Sequence, residues 1–176
     1  MSLNITLRNQ SRAGIVYAFV HGIATSNNGA LFILEADGVT PFYPASPAAN
    51  GSGIPVNVAI SLGNPGTTRT ITIPPLAGGR IYFSYEEPLQ FFLNQGPGLV
   101  TPSVTNVSDP NYNLQWDFME LTYGNGSLFS NITYVDFVGL PIALTLTDNS
   151  NAVQHVGGYP FGARVSHLAL YVETQS

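Results

Sequence analysis

Trp116-Asp117-Phe118-Met119-Glu120-Leu121-Thr122-Tyr123 runs into Gly124-Asn125-Gly126, and the chain continues Ser127-Leu128-Phe129-Ser130-Asn131-Ile132-Thr133-Tyr134-Val135-Asp136-Phe137-Val138. Side chains alternate apolar and polar on both sides of a turn made of glycine and asparagine. That is the signature of two antiparallel strands joined by a tight hairpin. The alternation predicts strands over 114–123 and 128–138.

The same period recurs along the chain, in short runs broken by Gly, Pro and Asn. It predicts further strands over 4–9, 15–21, 31–35, 55–62, 68–73, 80–85, 89–93, 140–146 and 168–172, with turns at Asn27-Asn28-Gly29, Asp37-Gly38 and Gly63-Asn64-Pro65-Gly66. Residues 74–79 read as a turn. No helix of ordinary length is expected, and only 161–166 suits a short helical or irregular segment. Some ten strands at this spacing point to an all-β sandwich or barrel. The length, 176 residues, suits a single domain over 1–176 with a real core.

Composition narrows the function. Charged residues make up 9% of the chain, against roughly 25% in an ordinary soluble domain. The five basic residues are Arg8, Arg12, Arg69, Arg80 and Arg164, there is no lysine, and the net charge is −5. No basic stripe exists to neutralise phosphates, which argues against nucleic acid, and an acidic chain is repelled by an anionic membrane surface. With no cysteine, disulfides and thiolate metal sites are excluded. His21, His155 and His167 are scattered, so neither a metal nor another cofactor is expected. Residues 1–10 alternate and are not a signal peptide. The chain is therefore read as intracellular, or extracellular if a signal has been removed; Asn-x-Ser/Thr sequons at Asn4, Asn9, Asn50, Asn106, Asn125 and Asn131 are weak support for secretion.

Carboxylates are few, ten in all, and three fall on the hairpin: Asp117, Glu120 and Asp136. Glu120 and Asp136 are each flanked by apolar residues, where desolvation raises a carboxyl pKa. Two carboxylates facing one groove are what glycosidic hydrolysis requires, one as acid and one as base. The plain alternative is that both sit on the outer face of a sheet because alternation places them there. If the turn centres near residue 126, Glu120 lies opposite about residue 132, and Asp136 is then about 13 Å further along the same face at roughly 3.3 Å per residue. Trp116, the only tryptophan, shares the face of Glu120 and reads equally as a sugar platform or a core residue.

The two runs of the hairpin resemble the motifs around the catalytic carboxylates of glycoside hydrolase family sixty-four. Arg80-Ile81-Tyr82-Phe83-Ser84, Phe91-Phe92-Leu93-Asn94, Gly96-Pro97-Gly98-Leu99-Val100 and Asp109-Pro110-Asn111-Tyr112-Asn113 are similar to that family too. The resemblance runs from about residue 15 to residue 170. It implies a thaumatin-like β-barrel that binds β-1,3-glucan along an open groove and cleaves it with inversion. It implies Glu120 as general acid and Asp136 as the base that activates water, with Thr122, Asn125, Thr133 and Trp116 as sugar contacts. Members of the family are about twice as long, and a second, mixed α/β domain forms the other wall of their groove. Two alternatives to a β-1,3-glucanase follow from the same residues. One is a β-glucan-binding module of the thaumatin type without turnover. The other is a structural protein that self-associates, which low charge and positive mean hydropathy permit.

Overall fold

The computed structural model describes residues 2–12, 14–132, 134, 137–148, 150–158 and 170–175, with residues 170–175 described by their backbone alone. Among them there is no helix, and the all-β expectation holds. The segment 161–166 lies outside the described residues.

The described residues form three sheets. The largest runs in the order β12 (Ser127–Ile132), β11 (Trp116–Gly124), β8 (Leu76–Tyr85), β2 (Val16–Ala24), β3 (Ala30–Leu34) and β4 (Pro41–Phe42), with β6 (Ile60–Ser61) paired to β2. A five-stranded sheet runs β14 (Val153–Val156), β13 (Ile142–Thr147), β15 (Leu170–Gln175), β1 (Leu3–Asn9) and β7 (Thr68–Ile73). Here β13 and β15 pair in parallel. A small third sheet is β10 (Gly98–Val100), β9 (Phe92–Asn94) and β5 (Ser52–Gly53).

The expected barrel is corrected to open sheets, because strand order leaves edges. β12 and β4 end the large sheet, and β14 and β7 end the five-stranded one. Pro41 heads β4 and has no N–H to offer a further strand, which is where an edge tolerates proline.

Alternation decides which face each strand buries. On β1, Leu3, Ile5 and Leu7 point inward, and on β7 Ile71 and Ile73 do. They share one core with Val16, Ala18 and Val20 of β2, Ile81 and Phe83 of β8, and Met119, Leu121 and Tyr123 of β11. Each such side chain removed from water stabilises the fold by about 1.5–3 kcal/mol before ordering costs. The large sheet is also covered on its other face, but only towards one end. There Phe19, Ile33, Tyr82 and Trp116 pack with Phe91 and Leu93, beneath the small sheet and its loops. Beyond that cover the outer face of β8, β11 and β12 opens.

Several boundaries differ from the sequence pattern. The run 55–62 pairs only at Ile60–Ser61, since the Asn57 carbonyl turns instead to the amide of Ala36 and its side chain caps Ala59. Residues 76–79, read as a turn, extend β8, which shifts register against β11 between Leu121 and Tyr123 and against β2 between His21 and Ile23. Among the described residues the hairpin ladder runs to Ile132, and 134, 137 and 138 lie outside it. Its two-residue turn places Asn125 at φ 53° and Gly126 at φ 73°, the type I′ pair that suits twisted strands.

Candidate active site

The two-residue turn fixes what stands opposite what. Glu120 pairs with Asn131 on β12 and with Arg80 on β8, and Arg80 pairs with His21 on β2. One polar row, His21, Arg80, Glu120 and Asn131, therefore crosses four strands on the outer face. It lies where the aromatic cover ends.

The row is tied together by hydrogen bonds. Arg80 donates from Nε at 3.0 Å and from Nη2 at 2.9 Å to the same oxygen, Oε1 of Glu120. Asn131 donates from Nδ2 to Oε2 at 3.5 Å. The guanidinium stands 4.8 Å over the ring of Phe118 and donates from Nη1 to the Tyr82 hydroxyl at 3.3 Å. Its tilt is thus set by an aromatic face below and a hydroxyl beside it. Arg80 and Glu120 keep 37% and 36% of their side chains exposed, so the pair is open to a ligand.

His21 is the exception in the row. It packs against Phe19, at 6.1 Å, and Tyr82, at 5.7 Å between ring centres. Its buried Nε2 has no hydrogen-bond partner among the described residues. Burial, with Arg80 next to it, pushes its pKa down from 6.5 to about 4, so the ring is neutral at pH 7.

A cleft of about 640 Å³ opens beyond the register shift, lined by Thr25, Ser26, Thr122, Asn125, Ser127 and Phe129 among others. Thr122 is the next same-face residue after Glu120 on β11, about 7 Å along the strand. Its cross-strand partner is Phe129, whose ring is 71% exposed. Hydroxyls, one amide and one bare aromatic face are groups that meet a sugar's hydroxyls and its apolar C–H face.

The structure thus brings Glu120, Thr122 and Asn125 to one open surface. Trp116 is elsewhere. It is 4% exposed and packs against Phe137 at 4.7 Å and Tyr82 at 5.9 Å, a core position behind the row. Thr133 and Asp136 lie outside the described residues. Sequence reasoning passed over Asn131 and Phe129, although a strict two-residue turn at Asn125-Gly126 would have set them opposite Glu120 and Thr122. Arg80 and His21 come from strands far away in the chain, and no local pattern finds them.

Comparison with known proteins adds a family. A family model described as beta-1,3-glucanase, glycoside hydrolase family 64, matches residues 1–175. A glucan endo-1,3-beta-glucosidase from Cellulosimicrobium cellulans is 32% identical over 141 residues, covering 80% of this chain and 25% of that protein. One from Arthrobacter sp. (strain YCWD3) matches to the same extent. The chain therefore spans about a quarter of the length of these curated relatives. Among solved structures, a laminaripentaose-producing beta-1,3-glucanase in complex with laminaritetraose superposes with TM-score 0.76 at 30% identity, over 89% of this chain and 42% of that one. The family 64 laminaripentaose-producing enzyme from Paenibacillus barengoltzii, 23% identical over 80% of this chain and 34% of its own, shares the fold with TM-score 0.60.

Proposed function

The chain belongs to the glycoside hydrolase family 64 β-1,3-glucanases, and from that premise we propose that it binds β-1,3-glucan on the open face of its large sheet and hydrolyses it with inversion. The observation that carries the proposal is Glu120, partly exposed and oriented by Arg80 beside a hydroxyl-lined cleft. The accompanying fold reading is a thaumatin-like sandwich.

In this reading Glu120 is the general acid. It gives its proton to the glycosidic oxygen as the bond from that oxygen to C1 breaks. Asp136 is the general base. It takes a proton from a water that attacks C1 from the opposite face, so a β-linked substrate gives an α-configured product. Inverting sites hold the two carboxyls roughly 6.5–9.5 Å apart to leave room for that water. Thr122, Asn125 and Thr133 are sugar contacts, and the ring of Phe129 is a surface for a sugar to stack on. Trp116 supports the row from the core.

Laminarin tests the proposal. Wild-type protein should release reducing sugar from it. Phe129→Ala should weaken laminarin binding, measured by calorimetry, by about fivefold, the worth of one well-placed aromatic contact at ~1 kcal/mol. Retention on insoluble β-1,3-glucan without release of sugar would instead support a binding module.

A further inference from the structure

Strand β8 breaks its own alternation once, next to the site. Arg80 faces outward, while Ile81 and Phe83 face the core. In a regular strand Leu76, four residues before Arg80, would share its outward face. Leu76 is instead fully buried in the same core. One extra residue accounts for the change. From Leu121 to Tyr123, β11 advances by two residues, whereas its partners on β8 run from Gly79 to Leu76. The pairing with β2 carries the same offset between His21 and Ile23. This is a β-bulge in a central strand.

Gly79 faces the core, where a Cβ would come within 3.0 Å of the Leu121 side chain. Leu76 faces it too, so Ala77 and Gly78 both fall on the outer face, two residues opposite the single Thr122. Gly78 has φ 54°, a left-handed backbone that glycine adopts without strain. It is exposed, and a Cβ added there would meet nothing within 4 Å. A bulge of this kind re-aims a strand, and a glycine in it lets a ligand come close to the backbone.

The bulge lies at the bottom of a trough. Ile23, 43% exposed, is the partner of Ala77 on β2, and Phe129 is the partner of Thr122 on β12. Their strands are three spacings apart, about 14 Å, and the row between them is Ala77, Gly78 and Thr122. One end of the trough meets Arg80 and Glu120. The other meets the hydroxyls of Thr25 and Ser26, in the turn after β2, and the amide of Asn125. None of the described residues that line this cleft is charged. Apolar walls, hydroxyls at the rim and no charge suit a neutral polyhydroxyl chain.

We propose that the Ala77-Gly78 bulge is the floor of a trough in which a β-1,3-glucan chain lies along β8 and β11, with Ile23 as the wall opposite Phe129. Gly78 carries no side chain so that the sugar reaches that floor. The inference rests on the sugar-binding part of the reading above and deepens it, adding Gly78 and Ile23 as binding residues. Neither takes part in proton transfer. Changing them should therefore act on affinity and leave the chemical step alone.

Gly78→Asn and Ile23→Ala test this. Laminarihexaose binding is measured by calorimetry in the Glu120→Gln background, so that the sugar survives the titration. The kcat on laminarin is measured with Glu120 in place, and circular dichroism checks folding. Asn tolerates the left-handed backbone, so the fold should hold while the floor is filled. Binding should be about tenfold weaker for Gly78→Asn, from atoms forced into a fitted contact, and about threefold weaker for Ile23→Ala, with kcat within twofold of wild type in both. Wild-type affinity in folded Gly78→Asn overturns the proposal and leaves the hydrolase reading, which stands on Glu120, intact. A lower kcat at unchanged affinity also overturns it, since the bulge would then serve Arg80 and not the sugar. If Gly78→Asn does not fold, Ile23→Ala, an exposed truncation, decides alone: weaker binding supports the proposal and wild-type binding overturns it. If the unsubstituted protein releases no sugar but both variants lose affinity as expected, the hydrolase reading fails and the trough stands.

Discussion

Glu120→Gln should lower kcat/KM on laminarin by about 10²–10⁴-fold, the usual contribution of a positioned proton donor. Gln has the size and shape of Glu, and its carbonyl oxygen can still accept the two bonds from Arg80 that now reach Oε1. The side chain should stay in place and the fold should be unchanged. What is lost is the proton for the glycosidic oxygen, and that loss falls on the chemical step. Initial rates of reducing-end formation, with circular dichroism as the folding control, measure it. A loss below tenfold would mean that the leaving oxygen is protonated by something other than Glu120. Laminarin affinity should change little, since Thr122, Asn125 and Phe129 are untouched by the substitution.

Acid should destabilise the protein through His21. In the unfolded chain this histidine binds a proton as pH falls through 6.5, whereas in the folded protein it resists until about 4. Between those values the unfolded state holds the extra proton, so stability rises with pH. The contribution is fully present above pH 6.5 and is lost as pH falls towards 4. That window corresponds to about 3 kcal/mol, a large part of a typical domain's stability. The cause is local: Phe19 and Tyr82 flank the ring, Ile33 is its partner on β3, and the facing charge is Arg80, with Glu120 beyond it. An imidazolium there would be desolvated and would face the Arg80 guanidinium. Asp117 works in the opposite sense. Its folded value lies above 3.8, so its contribution is complete below that pH and declines as pH rises through the folded value. Urea unfolding of wild type and His21→Phe between pH 7 and 4 isolates the histidine. The wild type should lose about 3 kcal/mol more than the variant, whose phenyl ring keeps the aromatic stack. Parallel curves would show that His21 already has a partner for its proton.

Much of the fold was legible because strands announce themselves by period two. The run 68–73 became β7 without change, and the hairpin around Asn125-Gly126 followed from its turn residues. What misled was pattern without pairing. Residues 55–62 alternate, yet only Ile60–Ser61 finds a neighbouring strand. Residues 128–138 alternate, yet the last described pair of the ladder is at Ile132, and 134, 137 and 138 lie outside any strand; Asp136 itself lies outside the described residues. Closure into a barrel depends on which edges meet, and alternation is silent about that.

The candidate site divides the same way. Glu120 and Thr122 were found because they share one face of one strand. Trp116 shares that face too, but lies further back, under the cover of Phe91 and Phe137, and burial separates it from its neighbours. Burial by a loop cannot be read from the strand it covers. Arg80 needed the pairing of β8 with β11, a contact 40 residues apart in sequence. Asp117 was noticed as a carboxylate, but it is buried and accepts the amides of Gly139 and Leu140, partners visible only once the chain is folded.

The most direct measurement is the anomeric form of the first product. Wild-type protein is mixed with laminarihexaose, and the reducing-end proton is followed by nuclear magnetic resonance before mutarotation. A two-carboxylate inverting site on this face predicts that the α-anomer forms first and then relaxes to the equilibrium mixture. A β-anomer formed first, or no product at all, would contradict it.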